Sequence, residues 1–382
     1  NQTKMSKINV RSPYIIYDNS TGYNSSPLAT AELNLWIYTG NSSSSIQTDA
    51  TYILSSTAID GEVTFEISEI VRDYISNNFN GDYDSDIVWV NWSKSRTYVN
   101  GFADSTSQQT LAAFDGYGYF EEGTNPQNDS ITLQSNDLIY TNDLSSITIP
   151  VHVSENVDVT YLKDNEPIFT KTLTSSTDSA DQIQYVSNSS LGYEAFYNRV
   201  ITDGGTIEAL NCVKEIADDY HDDLDADEIY VAKLGGVEVI KIKEIEECKY
   251  EPYRVTFVNK YGALQDVWFF KKSNLSMKTK QENYKANIVS AGSYSANERQ
   301  NYIFNKTGTE SLKLNTGFYP ESYNEIFRQL SLSEEVWIQY ENRILPINIT
   351  STSLNYKTSR NDKLINYTID VEFSNDKINN IR

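Results

Sequence analysis

A strict alternation decides the fold class of this chain: Ala31-Glu32-Leu33-Asn34-Leu35-Trp36-Ile37-Tyr38. Every second residue from Ala31 to Ile37 is apolar, which predicts a β-strand with one buried face. The same pattern returns at Tyr52–Leu54 and Val63–Ile67, and polar turn residues lie between these stretches. We therefore expect antiparallel strands in the first part of the chain.

After Ile67 the apolar residues change from period two to helical spacing. Ser68 is a suitable N-cap and Glu69 lies in the first turn, so the sequence predicts one short helix that covers the sheet. The apolar stripe of this helix consists of Ile70, Val71, Tyr74 and Ile75. Side chains at this spacing share one face of a helix.

The chain is long enough for two or three domains, and we expect three. Strands are predicted at Ile87–Trp92 and Thr97–Phe102, and the polar stretch Glu121–Ser130 is interpreted as a linker. The predicted domains are residues 1–127, an N-terminal β-sandwich with one covering helix; residues 128–250, a middle β domain with a helix at 206–220 and an acidic loop; and residues 251–382, a C-terminal β domain with a helix at 320–330. The predicted fold class is mainly β, with several antiparallel β-sandwich-like domains and a few short helices, a β-dominated α+β protein.

Four hairpins are predicted in the second and third domains, because paired strand patterns flank residues that favour turns. Their turns are Lys163–Glu166, Gly235-Gly236, Asn259–Gly262 and Glu341–Arg343.

Composition excludes several classes of function. The chain has 31 Lys and Arg against 53 Asp and Glu, a net charge of −22, which repels phosphate backbones. Two cysteines, Cys212 and Cys248, and two histidines, His152 and His221, are too few for a disulfide framework or a His-rich metal site. The sequence has no Gly-x-Ser-x-Gly elbow and no apolar run of the roughly 20 residues that span a membrane. We predict no enzyme, no catalytic residue and no cofactor, although a glycosidase-type carboxylate pair stays open among so many acids.

The densest acidic cluster, at residues 218–228, imitates a calcium-binding loop without matching it. Asp223, Asp225 and Asp227 alternate like calcium ligands, but Glu228 replaces the glycine and Leu234 stands where the bidentate acid belongs. We predict no metal site, favour a solvated acidic loop, and leave weak calcium binding open.

Basic residues concentrate in one segment, Lys271–Phe304, where tyrosines and a phenylalanine are interleaved with them. An acidic protein with one basic segment can dock head to tail on an identical neighbour and close a ring. A nucleic-acid face is the alternative interpretation. The predicted interface residues are Lys271, Lys272, Lys278, Lys280, Lys285 and Arg299 on the basic side, and Asp218, Asp219, Asp222, Asp223, Asp225 and Asp227 on the acidic side.

The segment from Lys249 to Lys272 resembles a segment that recurs in virion tail proteins of tailed bacteriophages, including crAss-like phages and others that infect Bacteroidetes-type hosts. Its centre reads Tyr253-Arg254-Val255-Thr256-Phe257-Val258-Asn259-Lys260-Tyr261-Gly262. Other stretches are similar to the same group: Ser12-Pro13-Tyr14 with the helix Ile67–Ile75, Asp203–Ala209, and Glu334–Ile338 leading through Pro346–Ile349 to Lys363-Leu364.

The resemblance implies a structural protein of the virion, a ring or hub of the tail or of the head–tail connector, made in the bacterial cytoplasm. Its implied partners are copies of itself in a six- or twelve-fold ring and other tail or portal-proximal proteins, with DNA only as a passing duplex and no membrane insertion. The alternative is a receptor-binding or carbohydrate-binding tail fibre, with or without glycan-degrading activity, in which Trp36, Trp92 and Tyr117 stack on sugars. A secreted adhesin is a third option.

Overall fold

A computed structural model describes residues 7–39, 49–83, 88–127, 130–142, 147–153, 156–163, 166–173, 182–187, 230–245, 247–351 and 364–378. Within these ranges the chain forms strands and two short α-helices. The strands are β1 Lys7–Asn9, β2 Ile15–Asp18, β3 Leu28–Thr39, β4 Tyr52–Thr57, β5 Val63–Glu66, β6 Val88–Tyr98, β7 Ala103–Ser105, β8 Gln109–Phe114, β9 Leu138–Thr141, β10 Thr148–Val153, β11 Val157–Lys163, β12 Glu166–Leu173, β13 Gln182–Ser187, β14 Tyr230–Leu234, β15 Glu238–Glu244, β16 Tyr253–Val258, β17 Leu264–Phe269, β18 Lys271–Lys285, β19 Asn301–Asn315, β20 Tyr319–Pro320, β21 Val336–Tyr340, β22 Arg343–Ile349, β23 Leu364–Ile365 and β24 Thr368–Phe373. The helices are α1 Ser68–Arg72 and α2 Asn324–Leu332, and 3-10 turns lie at Tyr23–Ser25, Phe120–Glu122 and Glu321–Tyr323.

The chain divides into two compact units. The first consists of Asn1–Glu246, Thr256–Val267 and Leu332–Glu334, and the second of Glu247–Val255, Trp268–Ser331 and Glu335–Arg382. The boundaries predicted at residues 127 and 250 do not coincide with this division, and the division into three domains stays a prediction.

The first unit contains a six-stranded sheet in the order β1-β8-β6-β3-β4, with β7 paired to β6. Strand β3 buries the apolar face that the sequence predicts. Leu33 and Leu35 are fully buried, while Glu32 is exposed and Asn34 and Trp36 are partly exposed. The two-stranded sheet β2–β5 and helix α1 contribute Ile16, Phe65 and Val71 to the same core, so they cover the buried face of the six-stranded sheet.

Two further sheets in the same unit pack together like a β-sandwich. A five-stranded sheet in the order β12-β11-β14-β15-β9 and the two-stranded sheet β10-β13 share one apolar core. Ile149 and Val151 of β10 pack with Val159 of β11 and Ile240 of β15, all almost completely buried. Most strand pairs are antiparallel as expected, but β1–β8 and β15–β9 are parallel.

Five strands that lie wholly in the second unit are neighbours in one sheet, in the order β21-β22-β24-β19-β18. Helix α2 packs its apolar face inward through Ile326, Phe327 and Leu330, as the sequence predicts. The predicted bounds of 320–330 were wrong, because Glu321–Tyr323 form a 3-10 turn and the α-helix runs from Asn324 to Leu332. The Phe327 ring lies 4.6 Å from Tyr367 and 6.4 Å from Phe269, measured between ring centroids, so aromatic contacts dominate this core.

The predicted fold class is confirmed: the protein is mainly β, with several antiparallel sheets and few short helices. The predicted hairpins at Gly235-Gly236 and Glu341–Arg343 are present. Glu341 and Asn342 lie between the paired residues Tyr340 and Arg343 and have positive φ, as a two-residue type I′ turn requires. The first hairpin has a three-residue loop, because Leu234 pairs with Glu238, and Gly235 and Gly236 in it also have positive φ.

Two further local predictions were wrong. Two strands were predicted, at Ile87–Trp92 and Thr97–Phe102, but Val88–Tyr98 form one continuous strand, β6, and Val99–Phe102 lie beyond its end. Ser68 is the first residue of α1 and Ile67 occupies the N-cap, because the Ser68 hydroxyl and N–H donate to the Glu66 carboxylate.

The stretch interpreted as a linker is also anchored where it is described. Asn125 and Gln127 exchange hydrogen bonds with the backbone of Ile15 and Lys7. The helix predicted at 206–220 and the acidic loop lie outside the described residues.

Candidate functional site

The most exposed element among the described residues is the hairpin of β18 and β19, Lys271–Asn315, which we call the ribbon. Its two strands of 15 residues pair antiparallel from Lys271↔Asn315 to Lys285↔Asn301. Strand β24 pairs with β19 only over Ser311–Asn315, so the outer ten residues of β19 pair with β18 alone. At about 3.3 Å per residue each strand is about 50 Å long.

The ribbon ends in a compact turn. Beyond the last strand pair, the Ala286 N–H donates to the Gln300 carbonyl, and Ser290 and Ser293 form an isolated bridge. Ala291 and Gly292, between those serines, have φ of 51° and 81°, the conformation of a type I′ turn. Local backbone bonds therefore close the ribbon without a buried core.

Three aromatic rings cluster on one face of the ribbon. Tyr284 and Tyr302 are directly opposite each other, with ring centroids 5.4 Å apart and planes 15° apart. The Phe304 ring lies 6.0 Å from Tyr284, and Phe304 is the extra residue at a shift in register between Glu282↔Asn305 and Asn283↔Ile303. The three side chains are 49%, 39% and 62% exposed, respectively, although stacked rings in a folded protein are usually buried.

Strand alternation gives the ribbon two different faces. Lys278 and Lys280 lie on the side of Tyr284, and we call this side the ring face. The opposite face carries Leu275 and Met277, which are 51% and 57% exposed. Both faces of the outer ribbon therefore present apolar side chains to solvent, a pattern typical of a protein contact surface.

The ribbon is also the basic part of an acidic chain. Residues 271–315 contain eight Lys and Arg and three Glu, a net charge of +5, so the remaining residues carry −27. Lys278, Lys280, Lys285 and Arg299 are exposed and make no ion pair with any described residue. Such unpaired cations favour an acidic partner.

Among the predicted interface residues, Lys271 has a different role. Its Nζ lies 2.5 Å from Glu247 Oε2 at the foot of the ribbon. The hydrogen bond from Lys271 lowers the pKa of Glu247. Lys271 therefore holds its own unit together, whereas Lys272, Lys278, Lys280, Lys285 and Arg299 are exposed.

The acidic half of the predicted interface, Asp218, Asp219, Asp222, Asp223, Asp225 and Asp227, lies outside the described residues, and the candidate calcium loop lies there with it. In the part of the chain that is described, no group of three His, Cys, Asp or Glu side chains is placed to hold a metal ion. No described helix is long and apolar enough to cross a bilayer.

The rings proposed to stack on sugars do not form an open platform. Tyr117 is only 8% exposed, and the Arg11 guanidinium lies 4.9 Å from the centre of its ring. Trp36 and Trp92 are half-buried, and Trp92 packs against the core of the six-stranded sheet. The expectation that these three rings are exposed was wrong for Tyr117.

Two polar clusters in the first unit have structural roles. Asp18 is buried, and its Oδ2 lies 2.5 Å from Lys94 Nζ and 3.6 Å from Arg96 Nη1. Burial raises the pKa of Asp18, but hydrogen bonds from Lys94 and Ser20 outweigh burial and leave that pKa lowered. This network ties β2 to β6.

The second cluster surrounds Asp115, where burial raises the pKa of the carboxyl group. Its Oδ2 accepts a hydrogen bond of 2.7 Å from Asn77, and Arg11 donates to the Leu332 carbonyl and pairs with Glu334 nearby in the same unit. A small cavity in this unit, lined by Lys7, Asn9, Phe114, Leu133 and Tyr261, has room for about one water molecule. A cavity of this size is too small for a substrate.

Comparison with known proteins adds little to this geometry. No protein-family model and no curated protein matches the chain. Among solved structures, the chain is similar to one described as fibronectin(III)-like modules of Clostridium thermocellum CbhA, with 8% identity over 65% of this chain and 96% of that chain. The TM-score is 0.16, which is too low to carry an argument.

Proposed function

We propose that this chain is a structural component of a bacteriophage tail or head–tail connector, and that it assembles with copies of itself into a ring or hub. The ribbon is the element that contacts a neighbouring copy. Assembly of this kind requires a complementary surface and no chemical step, in agreement with the sequence-based expectation of a non-enzymatic protein.

One observation carries the proposal: a two-stranded element of net charge +5, with rings and aliphatic side chains exposed on both faces, belongs to a chain whose other residues carry −27. An isolated two-stranded hairpin gains little stability by itself. Exposed apolar side chains on such an element are therefore best explained by burial in a contact with a partner.

The neighbouring copy is the partner that the charges favour. The ribbon is attracted to the acidic surface of any identical chain. A contact between different surfaces of identical subunits is heterologous, and it closes into a ring when the rotation between subunits permits. The position in a virion, the six- or twelve-fold symmetry and the passage of DNA follow from the resemblance alone.

Mass photometry of the purified full-length chain tests the self-assembly. We expect a concentration-dependent species of six or twelve copies that dissociates as salt rises, because exposed charge pairs are screened. A monomer at all concentrations and low salt would contradict the proposal. Imaging of infectious particles with an antibody against the chain tests the virion location, and particles without the chain would contradict that part.

A glycan array tests the carbohydrate-binding alternative. Binding of a defined sugar by the monomeric chain, lost when Tyr284→Ala and Tyr302→Ala remove the stacked pair, would favour the tail-fibre alternative over the ring. Binding of duplex DNA to the isolated chain, weakened by Lys278→Glu, would instead assign the ribbon to nucleic acid.

A further inference from the structure

Strand β18 is the last strand of its sheet, and no described strand pairs with its outer edge. Half of the backbone N–H and C=O groups of a strand point toward each neighbour, so one edge of β18 keeps unpaired donors and acceptors along its length. An exposed edge of 15 residues is much longer than the short or covered edges that natural sheets usually present. A row of free groups of this kind is a template for a further strand.

We propose that β18 pairs with β18 of a second copy, antiparallel about a two-fold axis through Met277, so that the two sheets join into one. This contact rests on the proposed function, because it names a second interface between copies of the chain. It differs from the contact that closes the oligomeric ring. That contact joins the ribbon to a different surface of the neighbouring copy, whereas this one joins the backbone edge of β18 to the same edge of a second copy.

Charge selects this register. In a two-fold antiparallel pair, one residue faces its own copy, and every other pair is placed symmetrically around that residue. The two-fold axis can pass through any residue of β18. For the five residues from Ser276 to Lys280, the two copies of β18 overlap over at least eleven residues. An axis through Lys278 or Lys280 places that lysine opposite the same lysine of the other copy. An axis through Ser276 places Lys272 opposite Lys280, and an axis through Thr279 places Lys278 opposite Lys280.

Only the centre at Met277 avoids directly opposed like charges among these five. It places Lys272 of each copy opposite Glu282 of the other, which gives two ion pairs. It also sets Lys278 against Ser276 and Lys280 against Asn274. Lys272 lies at the irregular step between Lys271 and Asn274, and its long side chain can span the displacement.

The same register covers exposed apolar side chains. Met277 faces the second Met277, and Leu275 of each copy faces Thr279 of the other, on the face opposite the rings. A centre at Gln281 also avoids opposed like charges, but its overlap falls to nine residues. The long overlap therefore favours Met277.

Disulfide trapping tests the register directly, in full-length chain whose native thiols are removed by Cys212→Ser and Cys248→Ser. Directly opposite residues have Cα atoms about 4.5–5.5 Å apart, within the range that a disulfide spans. We expect Met277→Cys to give a covalent dimer under mild oxidation. Leu275→Cys alone and Thr279→Cys alone place their thiols about 13 Å apart, at four residues of strand, and give none.

An equimolar mixture of the Leu275→Cys and Thr279→Cys chains is the matched positive control, because the register sets these two positions opposite each other. The mixture should give a heterodimer that neither chain forms by itself. Dimers from Leu275→Cys alone, or from Gln281→Cys but not Met277→Cys, would overturn the register, and no dimer from any of these variants would overturn the edge contact.

Charge exchange gives a second readout. Lys272→Glu or Glu282→Lys alone should lower the yield of the Met277→Cys dimer severalfold, and the two together should restore it. Failure of this inference is separable from failure of the proposed function. If the cysteine variants give no covalent dimer but still form assemblies of the same size as the unaltered chain, only the edge contact is refuted. If covalent dimers form but no larger assembly is found, the ring is refuted.

Discussion

Reversing two charges on the ring face should weaken self-assembly. Lys278→Glu with Lys280→Glu lowers the ribbon from +5 to +1 and the chain from −22 to −26. Both lysines are exposed and lie beside the exposed ring cluster, so the substitutions remove no core packing. Their effect on the free energy of unfolding should stay within about 0.5 kcal/mol.

The magnitude follows from the exposure of the two side chains. An exposed ion pair contributes about 0.2–1 kcal/mol, and reversal replaces that attraction with a repulsion of similar size. Two reversals therefore cost about 1–4 kcal/mol for each interface, which raises the dissociation constant about fivefold to several hundredfold. The penalty should shrink at high salt, where the Debye length falls to about 3 Å.

Mass photometry over a dilution series at low and high salt measures both quantities. The matched control is Lys233→Glu with Lys241→Glu in β14 and β15, which gives the same net charge of −26 and leaves the sequence of the ribbon unchanged. The ribbon variant should dissociate at higher concentration than both the unaltered chain and the control. Equal dissociation of the ribbon variant and the control would refute the reasoning, because net charge alone would then explain the effect.

Three further changes test the fold that carries the ribbon. Phe327→Ala should destabilise the second unit by about 3–5 kcal/mol, measured by urea unfolding, because the ring is fully buried among other rings. Gly262→Ala should lower the melting temperature of the first unit, because φ is +74° and the new Cβ would lie 2.8 Å from the Asp115 nitrogen; an unchanged melting temperature would contradict this. The lowered pKa of Asp18 stabilises the fold above the ordinary carboxyl pKa of about 3.9, and this stability is lost as pH falls through the lower folded value. Asp18→Asn should therefore be less stable near neutral pH by about 3 kcal/mol and lose less stability on acidification, and an unaltered acid profile in melting experiments would refute this role.

The strands that bury one face were predictable from the sequence, and the ribbon was not. In β3 the apolar residues alternate because one face is buried, so period two reports the strand directly. In β18 nearly every residue is exposed, and burial therefore imposes no alternation on the sequence. The basic residues and interleaved rings identified the segment as a contact surface, but its paired strands required the structure.

Local errors have similar causes. Ser93 and Ser95 interrupt the apolar pattern of β6, although the backbone continues its pairing with β3 through them. The role of Lys271 depends on Glu247, which is distant in sequence, so no local pattern reveals that ion pair. The parallel pair β1–β8 joins residues about a hundred positions apart and is equally invisible to local reasoning.

A shortened ribbon tests the central claim most directly. Gln281 and Lys306 are directly opposite, so an Asn-Gly turn can replace residues 282–305 and leave the base of the hairpin intact. Under conditions in which the full-length chain forms the large assembly, analytical ultracentrifugation of this variant should show no species larger than a dimer, because Met277 and its part of the β18 edge remain. Its melting temperature should equal that of the full-length chain. A shortened chain that forms the same assembly at the same concentration would contradict the account.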